Sequence, residues 1–374
     1  MATSADRFSC PKVDAMQAAV CRAFNEPLVI EEVELAPPGP REVEVEIAAC
    51  AICHSDIHYL DGAWGGVLPA VYGHEAAGVV RACGEGVEDL APGDHVVVTL
   101  IRSCGHCFYC SRGEETACEH DFPLAHRTPL SDARGQPLHQ GMGTAAFAER
   151  VVVDETQLAR IGEDLPFDVA SLLACGVITG VGAVSNTAAV PAGSSVGVIG
   201  AGGVGLNTVQ GARLVGAGPI IAIDLVAEKR VSASAFGATD VLDPLVDDAA
   251  TAVRDLTGGR GADFVFVTVG SKVAMEQGVD LLRPGGSLVI VGMPATGVTI
   301  DLDPGSLASL GQRVLGSKMG SSRIDIDIPR LEALYRRGDL KLDELISGRY
   351  PLSAINQAIA DVRQGKALRN VIVF

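Results

Sequence analysis

The sequence predicts an α/β protein that combines a barrel-like antiparallel β domain with a doubly wound parallel sheet. Three features predict it: short strand-like segments in the first third of the chain, a regular alternation of strands and helices from about residue 177, and a glycine-rich turn within that alternation. The chain has 374 residues, more than a single core usually spans, so we expect two domains.

The first third is predicted to be a series of short strands. Residues 43–47 alternate apolar and charged side chains, which is the period-two pattern of a half-buried strand. Residues 76–80, 95–99 and 151–153 are short apolar runs, and turns rich in Gly and Pro separate them. We therefore expect an antiparallel, barrel-like domain whose loops carry polar residues.

From about residue 177 the pattern changes, and strands and helices follow one another in a way that is typical of a doubly wound parallel sheet. The predicted strands are residues 195–199, 219–224, 238–242, 263–267 and 287–291, and the clearest helices are residues 204–217 and 227–236. Near the C-terminus, a helix over 353–364 precedes a strand over 370–374.

Composition and charge exclude several classes of function. The formal net charge of −17 argues against nucleic-acid binding, which needs clustered Lys and Arg. Ten cysteines in a long acidic chain are not the disulfide framework of a short secreted domain. Because the N-terminal residues lack the apolar segment of a signal peptide, and no run of about 18 apolar residues exists, we expect a cytoplasmic protein without a membrane or nucleic-acid partner.

Four cysteines with close, regular spacing predict a structural metal site. They are three, three and eight residues apart: Cys104, Cys107, Cys110 and Cys118. Four thiolates complete a tetrahedral zinc shell and leave no position for a substrate. The spacing also resembles the C-x2-C-x2-C run of iron–sulfur proteins. The fourth cysteine, eight residues on and without a following Pro, favours zinc.

A dinucleotide site is predicted where the first parallel strand meets its helix. The segment from Gly200 to Gly205 has the form G-x-G-x-x-G, and Asp224 ends the next strand. In this context, Gly200 permits a tight turn, Gly202 lets the backbone approach a pyrophosphate, and Gly205 lets helix and strand pack closely. A carboxylate at Asp224 would accept hydrogen bonds from ribose hydroxyls and repel a 2′-phosphate, which favours NAD over NADP. The alternative for Asp224 is an ordinary polar residue at a strand end.

A second metal site is suggested by Cys53, His74 and Cys175 taken together. Alone, each is ambiguous, because a single buried Cys usually behaves as a small apolar residue. Combined with a dinucleotide fold, they form a Cys2His set that keeps a fourth position open, as catalytic zinc requires. Other thiols have no ligand spacing and are expected to be core or surface residues: Cys10, Cys21, Cys50 and Cys83.

With these motifs in the same order, the chain resembles the zinc-dependent alcohol dehydrogenases of the medium-chain dehydrogenase/reductase superfamily over residues 16–374. The resemblance rests on the cysteine quartet, the glycine fingerprint and three short motifs, which begin at Cys53, Gly73 and Cys175. It implies a GroES-like catalytic domain over residues 1–176 and 318–374, with a structural-zinc lobe at 102–120. It also implies a Rossmann NAD-binding domain over 177–317.

The resemblance further assigns roles around two zinc ions per chain. Cys53, His74 and Cys175 would bind the catalytic zinc, and the quartet would bind the structural one. Glu75 would lie beneath the catalytic zinc, and Asp56 would orient a ligand histidine. Ser55 and His58 would pass the alcohol proton toward the surface; the alternative for His58 is an ordinary surface histidine.

Cofactor and substrate residues follow from the same resemblance. The expected cofactor-binding residues are His54, Thr179, Gly200, Gly202, Gly203, Val204, Gly205, Asp224, Lys229 and Arg369. The expected residues of the substrate pocket are Trp64, Leu100, Met142 and Met293, and the alternative for each of these four is core packing.

The expected reaction is the NAD-dependent oxidation of a primary alcohol, medium-chain or aromatic, to an aldehyde, and its reverse. The alternative enzyme is a formaldehyde dehydrogenase that acts on a thiol adduct of the S-hydroxymethylglutathione or mycothiol type. His58 counts against the glutathione type, because enzymes of that type have an aromatic residue at the corresponding position. A non-catalytic nucleotide-binding protein and a zinc-free quinone reductase are disfavoured, because all three catalytic ligands are present. We expect a homodimer first and a tetramer second, formed through segments near 298–302 and 314–317.

Overall fold

The computed structural model of the protein describes residues 15–365 and 367–374. It confirms the predicted α/β fold, with a mainly antiparallel part and a doubly wound parallel sheet. Of the thiols expected in core or surface positions, Cys21 and Cys50 are buried and Cys83 is half-buried. Cys10 lies outside the described residues.

The amino-terminal part consists mainly of strands. In chain order its elements are β1 (Met16–Cys21), β2 (Val29–Leu35), β3 (Glu42–Ala51), α1 (His54–Leu60), β4 (Ala70–Val71), β5 (Glu75–Cys83), β6 (His95–Val98), β7 (Leu130–Asp132), β8 (His139–Gln140), β9 (Arg150–Asp154) and β10 (Leu158–Arg160). The alternation predicted for residues 43–47 gives β3 two different faces: Val43, Val45 and Ile47 are buried in the core, while Glu44 and Glu46 form ion pairs.

The following part alternates helices and strands. Its elements are α2 (Phe167–Ser171), α3 (Gly176–Gly182), β11 (Val196–Ile199), α4 (Gly203–Leu214), β12 (Ile220–Ile223), α5 (Ala227–Phe236), β13 (Asp240–Leu242), α6 (Ala249–Leu256), β14 (Ala262–Val267), α7 (Lys272–Asp280), β15 (Leu282–Ile290), α8 (Pro304–Leu310) and β16 (Arg313–Gly316). The chain ends with α9 (Ile324–Arg336), β17 (Ile346–Pro351), α10 (Ile355–Arg363) and β18 (Arg369–Val373).

The parallel sheet has the strand order β13-β12-β11-β14-β15-β16. The order reverses between β11 and β14, which is where open α/β sheets bind ligands, and the glycine-rich turn follows β11 at that point. The predicted helix over 204–217 ends earlier, at Leu214, because Gly216 adopts a left-handed φ of +76°. Residues 298–302 form no strand, and β16 is the edge strand of the sheet.

The strands outside that sheet form two further sheets. One has the order β7-β2-β1-β4-β8, and the other has the order β10-β6-β5-β3-β18-β17 with β9 paired to β3. Most pairs are antiparallel, although β4–β8 and β17–β18 are parallel. Since β18 pairs with β3, the last strand of the chain lies beside the end of β3, opposite the start of β5.

The core is continuous across the boundary between the two parts. One apolar cluster contains Cys53 and Cys175 together with Val198 of β11 and Leu206 of α4. No single helix within the described ranges has the length and apolar composition to cross a membrane; one pair, Phe167–Ala174 with Gly176–Thr187, meets those criteria only if its halves are joined across a 49° bend. The division into residues 1–176 with 318–374 and 177–317 stays a prediction.

Candidate active site

Three elements bring Cys53, His74 and Cys175 to one buried point. Cys53 follows β3, His74 precedes β5, and Cys175 immediately precedes α3. Their ligand atoms, together with a carboxylate oxygen of Glu75, all lie within 4.8 Å of one another, and all four residues are buried. Residues that are far apart in the sequence therefore form one compact group of metal-binding atoms.

Asp56 fixes the orientation of this group from the first turn of α1. Its Oδ2 accepts a hydrogen bond from the backbone N–H of Cys53 at 3.0 Å, and its Oδ1 accepts one from Gly73 at 3.0 Å. The same Oδ1 lies 3.1 Å from Nδ1 of His74. Because Nδ1 is engaged in this way, Nε2 of His74 is left to face the cysteines.

The donor set fits a zinc ion. Nε2 of His74 and both carboxylate oxygens of Glu75 are buried without a hydrogen-bond partner among the described residues, which is unusual for buried polar atoms. A hydrogen bond from Cys175 lowers the pKa of Cys53 well below its usual range and raises that of Cys175 well above it. Two adjacent thiols, one of them with a lowered pKa, and an unpartnered imidazole nitrogen match the Cys2His set of an open zinc site.

Glu75 is the acid of the cluster, and it is fully buried, as is the neighbouring Asp56. Burial raises the pKa of Glu75 to about 8, although the positive charge of Arg369 acts in the opposite direction. Nη2 of Arg369 is 3.6 Å from Oε1 of Glu75. Arg369 begins β18, so the pairing of β18 with β3 places this cation at the centre of the site.

The second group of thiols forms a separate lobe. The sulfurs of Cys104, Cys107, Cys110 and Cys118 all lie within 4.8 Å of one another. Backbone N–H groups of Cys104, Cys107 and Cys110 donate to neighbouring sulfurs at 3.3–3.4 Å, which favours thiolates. Hydrogen bonds lower the pKa of Cys107 to about 6, and the largest contribution comes from the backbone of Cys110. This geometry fits a closed tetrahedral zinc shell.

The glycines of the fingerprint differ in what surrounds them. Gly200 has a left-handed φ of +96°, and a Cβ at Gly205 would lie only 1.8 Å from the carbonyl oxygen of Gly200. A Cβ at Gly202 would meet nothing within 4 Å, so the backbone there is open to a ligand. Gly203 and Val204 begin α4 at this turn, and its N-terminus suits a phosphate.

The carboxylate of Asp224 also has a structural task that the sequence did not reveal. Its Oδ2 accepts a hydrogen bond from Ala201 N at 2.7 Å, and its Oδ1 accepts one from Val226 N at 2.8 Å. It thereby holds the glycine-rich turn against the end of β12. Its negative charge stays at the edge of the turn, where a ribose would approach.

Arg369 packs against the same turn, and His54 lies within electrostatic range of Arg369 and of Lys229. The guanidinium of Arg369 packs against Gly176 and Gly203, where an added Cβ would lie 2.2 Å and 2.5 Å from its atoms. His54 is exposed to the solvent of the cleft, yet the surrounding atoms desolvate it enough to lower its pKa, and Arg369 and Lys229 lower it further. The positive charge that packs against the turn is therefore that of Arg369, and His54 offers a ring N–H beside it.

Ser55 and His58 lie one turn apart on α1, and both are half-buried. The ring of His58 stacks on that of Trp64 with centroids 4.8 Å apart, and Nε1 of Trp64 donates to the carbonyl oxygen of Pro294 at 2.8 Å. Thr179 is buried in α3, and its Oγ1 lies 3.7 Å from Sδ of Met319.

The residues expected in a substrate pocket lie in different surroundings. Leu100 lines a cavity of about 280 Å³ beside the four-cysteine lobe. Met142 packs against the core of the amino-terminal sheets, and Met293 is 59% exposed. Trp64 lies at the junction between α1 and the loop after β15. The substrate pocket stays a prediction.

Met319 is a neighbour of the cluster that the sequence analysis missed. Its Sδ is 3.6 Å from Sγ of Cys175, and it begins three successive residues with left-handed φ, followed by Gly320 and Ser321. Such a run is strained for the two non-glycine residues. The only sequence signal is the Gly- and Ser-rich segment from Gly316 to Ser322.

Comparisons with known proteins agree with this geometry. The model of the family "Alcohol dehydrogenase GroES-like domain" matches residues 39–163, and that of the family "Zinc-binding dehydrogenase" matches residues 203–334. The chain is 38% identical to the probable S-(hydroxymethyl)glutathione dehydrogenase 1 of Schizosaccharomyces pombe, over 96% of this chain and 97% of that one.

Two further relatives carry different names. The chain is 37% identical to the NDMA-dependent alcohol dehydrogenase of Amycolatopsis methanolica, over 96% of this chain and 98% of that protein. Its structure is similar to that of the benzyl alcohol dehydrogenase of Acinetobacter calcoaceticus, with a TM-score of 0.90, 32% identity, and coverage of 96% of this chain and 99% of that one.

Proposed function

The chain belongs to the zinc-dependent alcohol dehydrogenases of the medium-chain superfamily, and from this premise we propose that it oxidises a primary alcohol, medium-chain or aromatic, to the aldehyde and catalyses the reverse reaction, with NAD as hydride acceptor. The observation that carries the proposal is the buried group of Cys53, His74 and Cys175, with Arg369 between it and the glycine-rich turn. The proposed zinc ligands and the glycine-rich turn are therefore adjacent.

The side chains of the cluster have distinct tasks in this proposal. A zinc ion held by Cys53, His74 and Cys175 would polarise the substrate oxygen and lower the pKa of the alcohol. Asp56 keeps the imidazole of His74 in one orientation. Ser55 takes the proton released from the alcohol, and His58, on the same face of α1, passes it to water.

Some of the expected cofactor-binding residues suit the pyrophosphate of NAD, and others suit its ribose. The open backbone at Gly202 and the guanidinium of Arg369 suit the pyrophosphate, and His54 is a neighbouring hydrogen-bonding group. Thr179 would lie against the nicotinamide, which would supply the hydride acceptor. The carboxylate of Asp224 suits ribose hydroxyls and opposes a 2′-phosphate, which supports NAD over NADP. Lys229, five residues further on, is placed to reach the same ribose.

The test is a panel of ethanol, hexanol and benzyl alcohol, with NAD or NADP, followed by the absorbance of the reduced cofactor. Formaldehyde is added with and without glutathione or mycothiol, because the Schizosaccharomyces pombe relative is named for a thiol adduct. Turnover of the alcohols with NAD supports the proposal. Turnover of formaldehyde only with a thiol supports the alternative enzyme, and a zinc-replete protein that turns over no substrate contradicts both.

We also propose two zinc ions per chain and a cytoplasmic homodimer. The first rests on the two separate clusters of ligand atoms, and elemental analysis showing one zinc per chain would contradict it. The second rests on β16, an edge strand with Val314 37% exposed, since unpaired edges tend to pair with another chain. Light scattering after size-exclusion chromatography distinguishes a dimer from a tetramer or a monomer.

A further inference from the structure

Two exposed histidines stand beside the four-cysteine lobe, and the proposed reaction uses neither of them. One ring nitrogen of His106, one of His120 and Sγ of Cys104 all lie within 4.8 Å of one another. Both histidines are exposed, whereas Cys104 is half-buried. Since imidazole nitrogens and thiolates are ligands that zinc prefers, these three atoms form a metal-binding group at the surface of the lobe.

His106 is held in an orientation that suits a metal ligand. Its Nδ1 lies 2.7 Å from the carbonyl oxygen of Cys104. Because a carbonyl oxygen can only accept a hydrogen bond, Nδ1 carries the proton and donates it, and Nε2 keeps the free lone pair. Ligand histidines of metalloproteins are typically oriented through such a hydrogen bond from the other ring nitrogen. The backbone of a quartet residue therefore prepares the neighbouring imidazole for a metal ion.

His120 is positioned by ring contacts. Its ring packs edge-on against that of Phe122, with centroids 4.9 Å apart, and against that of His106, with centroids 5.7 Å apart. Within residues 15–365 and 367–374, no hydrogen bond or ion pair engages its ring nitrogens. Both nitrogens therefore stay available to an ion, and one of them already belongs to the group.

The histidine pair and the four-cysteine quartet share one sulfur, that of Cys104. It lies in the group with His106 and His120 and also in the group with the other three thiols. A closed tetrahedral shell of four thiolates has no free position, so an ion enters or leaves it by stepwise exchange of ligands. A sulfur common to both groups lets an ion pass from one to the other without being released into the solvent.

The two groups differ in how firmly they would hold zinc. The quartet supplies four sulfurs, and Cys110 among them is buried, whereas the outer group supplies two exposed imidazoles and the shared sulfur. Three protein ligands leave a fourth position open, which is the coordination from which ligands exchange readily. The outer group is therefore suited to transient binding, and the quartet to final binding.

We propose that His106 and His120 form an entry site through which zinc reaches and leaves the four-cysteine lobe. The sulfur of Cys104 keeps its bond to the ion throughout. The other three sulfurs of the quartet replace the two imidazoles and one solvent ligand, and thiols that were protonated release their protons to water. Three bonds to the ion break and three form, and no electron is transferred.

The first experiment measures the exchange of zinc in the full-length protein. The Cys175→Ala variant, in which only the lobe is expected to hold zinc, is incubated with an enriched stable zinc isotope, and elemental mass spectrometry follows its incorporation. His106→Gln and His120→Gln, made in this background, are each expected to slow the exchange about 10-fold, because the exchange step loses one of its two imidazoles. His120→Cys, which keeps a ligand atom at the position, should restore much of the rate.

A change of rate without a change of affinity separates an entry site from a structural role. A group that the ion only passes through alters loading and loss equally, so the affinity of the lobe, measured by competition with a chelator, should stay the same. His126→Gln is the control, because His126 is exposed, pairs with Asp121 and lies outside the group. A lower zinc affinity in His106→Gln and His120→Gln would show that these residues stabilise the quartet, and would contradict the inference.

A second readout detects zinc at the histidine pair directly. In the zinc-loaded wild type, added zinc should protect the rings of His106 and His120 from acylation by diethyl pyrocarbonate, as mapped by peptide mass spectrometry. His126 should be modified to the same extent with and without added zinc. Gel filtration should return the zinc content to its starting value, since the outer group holds an ion only in transit. Unprotected rings, unchanged exchange rates, or a further ion that survives gel filtration would each contradict the inference.

Discussion

A single carboxylate, that of Asp56, orients most of the reacting centre. It accepts hydrogen bonds from the backbone of Cys53 and Gly73 and contacts the imidazole of His74, and it is fully buried. One side chain thus sets the start of α1, the approach to β5 and the direction of a metal ligand. The loss of this residue should disturb metal binding more than it disturbs the fold.

We expect Asp56→Asn to weaken the binding of the catalytic zinc about 10- to 100-fold, because outer partners of ligand histidines typically contribute that much. Competition with a chelator, followed by elemental analysis, measures it. Asp301→Asn is the control, since Asp301 is 90% exposed. Unchanged zinc retention in Asp56→Asn would remove Asp56 from the set of positioning residues.

Cys175→Ala tests the ligand set itself. Because this sulfur lies within 4.8 Å of the other ligand atoms of the group, its loss should lower the zinc content from the proposed two to one per chain and abolish turnover. NAD binding, measured by calorimetry, should persist, since the glycine-rich turn is untouched. Retained turnover would show that Cys175 is not a ligand.

At the scale of elements, two glycines of the glycine-rich turn allow an effect on stability to be distinguished from an effect on NAD binding. Gly205→Ala should destabilise the protein, because its Cβ would overlap the carbonyl of Gly200. Gly202→Ala should leave the melting temperature nearly unchanged and weaken NAD binding, since its Cβ would occupy only the space at the open turn. Thermal unfolding and NAD titration of both variants measure this contrast. Equal losses of stability would contradict it.

The starts of three neighbouring strands are tied together by Asp263 of β14. Its Oδ2 accepts from the backbone and hydroxyl of Ser195 at 2.7 and 2.6 Å, and its Oδ1 accepts from Arg283 of β15 at 2.5 Å. Burial alone would raise the pKa of Asp263, but these hydrogen bonds lower it below its usual value.

A lowered pKa in the folded state stabilises the protein above the unfolded pKa of about 3.9, and that contribution is lost as the pH falls through the folded value. Asp263→Asn should therefore cost about 1–2 kcal/mol of unfolding free energy at neutral pH. The difference from the wild type should shrink as the pH approaches the acidic range. Urea unfolding across that range measures it, and a difference that does not vary with pH would contradict the assignment.

Elements with a strong periodic pattern were predictable from the sequence. The helix expected over 227–236 is α5, and the strand expected over 263–267 lies within β14. The short strands β4, β8 and β16 were missed, because two to four residues carry too little periodicity to stand out. Met319 was not predicted for another reason: its neighbour Cys175 comes from a distant segment, and local pattern holds no information about such contacts.

At the scale of the whole molecule, the site lies where the two parts meet. Cys53 and His74 come from the amino-terminal sheets, the glycine-rich turn comes from the parallel sheet, and Arg369 comes from the last strand. The four-cysteine site could be predicted from its spacing, whereas Cys53, His74 and Cys175 are too far apart for spacing to group them and were suggested only in combination with the dinucleotide fold. The doubly wound parallel sheet, by contrast, could be predicted from the alternation of strands and helices, whereas the order of its strands could not.

The two parts are also joined at the edge of the cleft by Trp64, and it is the one tryptophan in the chain. Its ring rests on His58, and its indole N–H is bonded to Pro294. Intrinsic fluorescence excited at tryptophan thus originates at a single known point, and its emission overlaps the absorption of a reduced nicotinamide. Binding of NADH should quench that emission by energy transfer, and Trp64→Phe should abolish the signal. The molecule therefore carries a built-in optical reporter of cofactor binding and of any movement between its two parts.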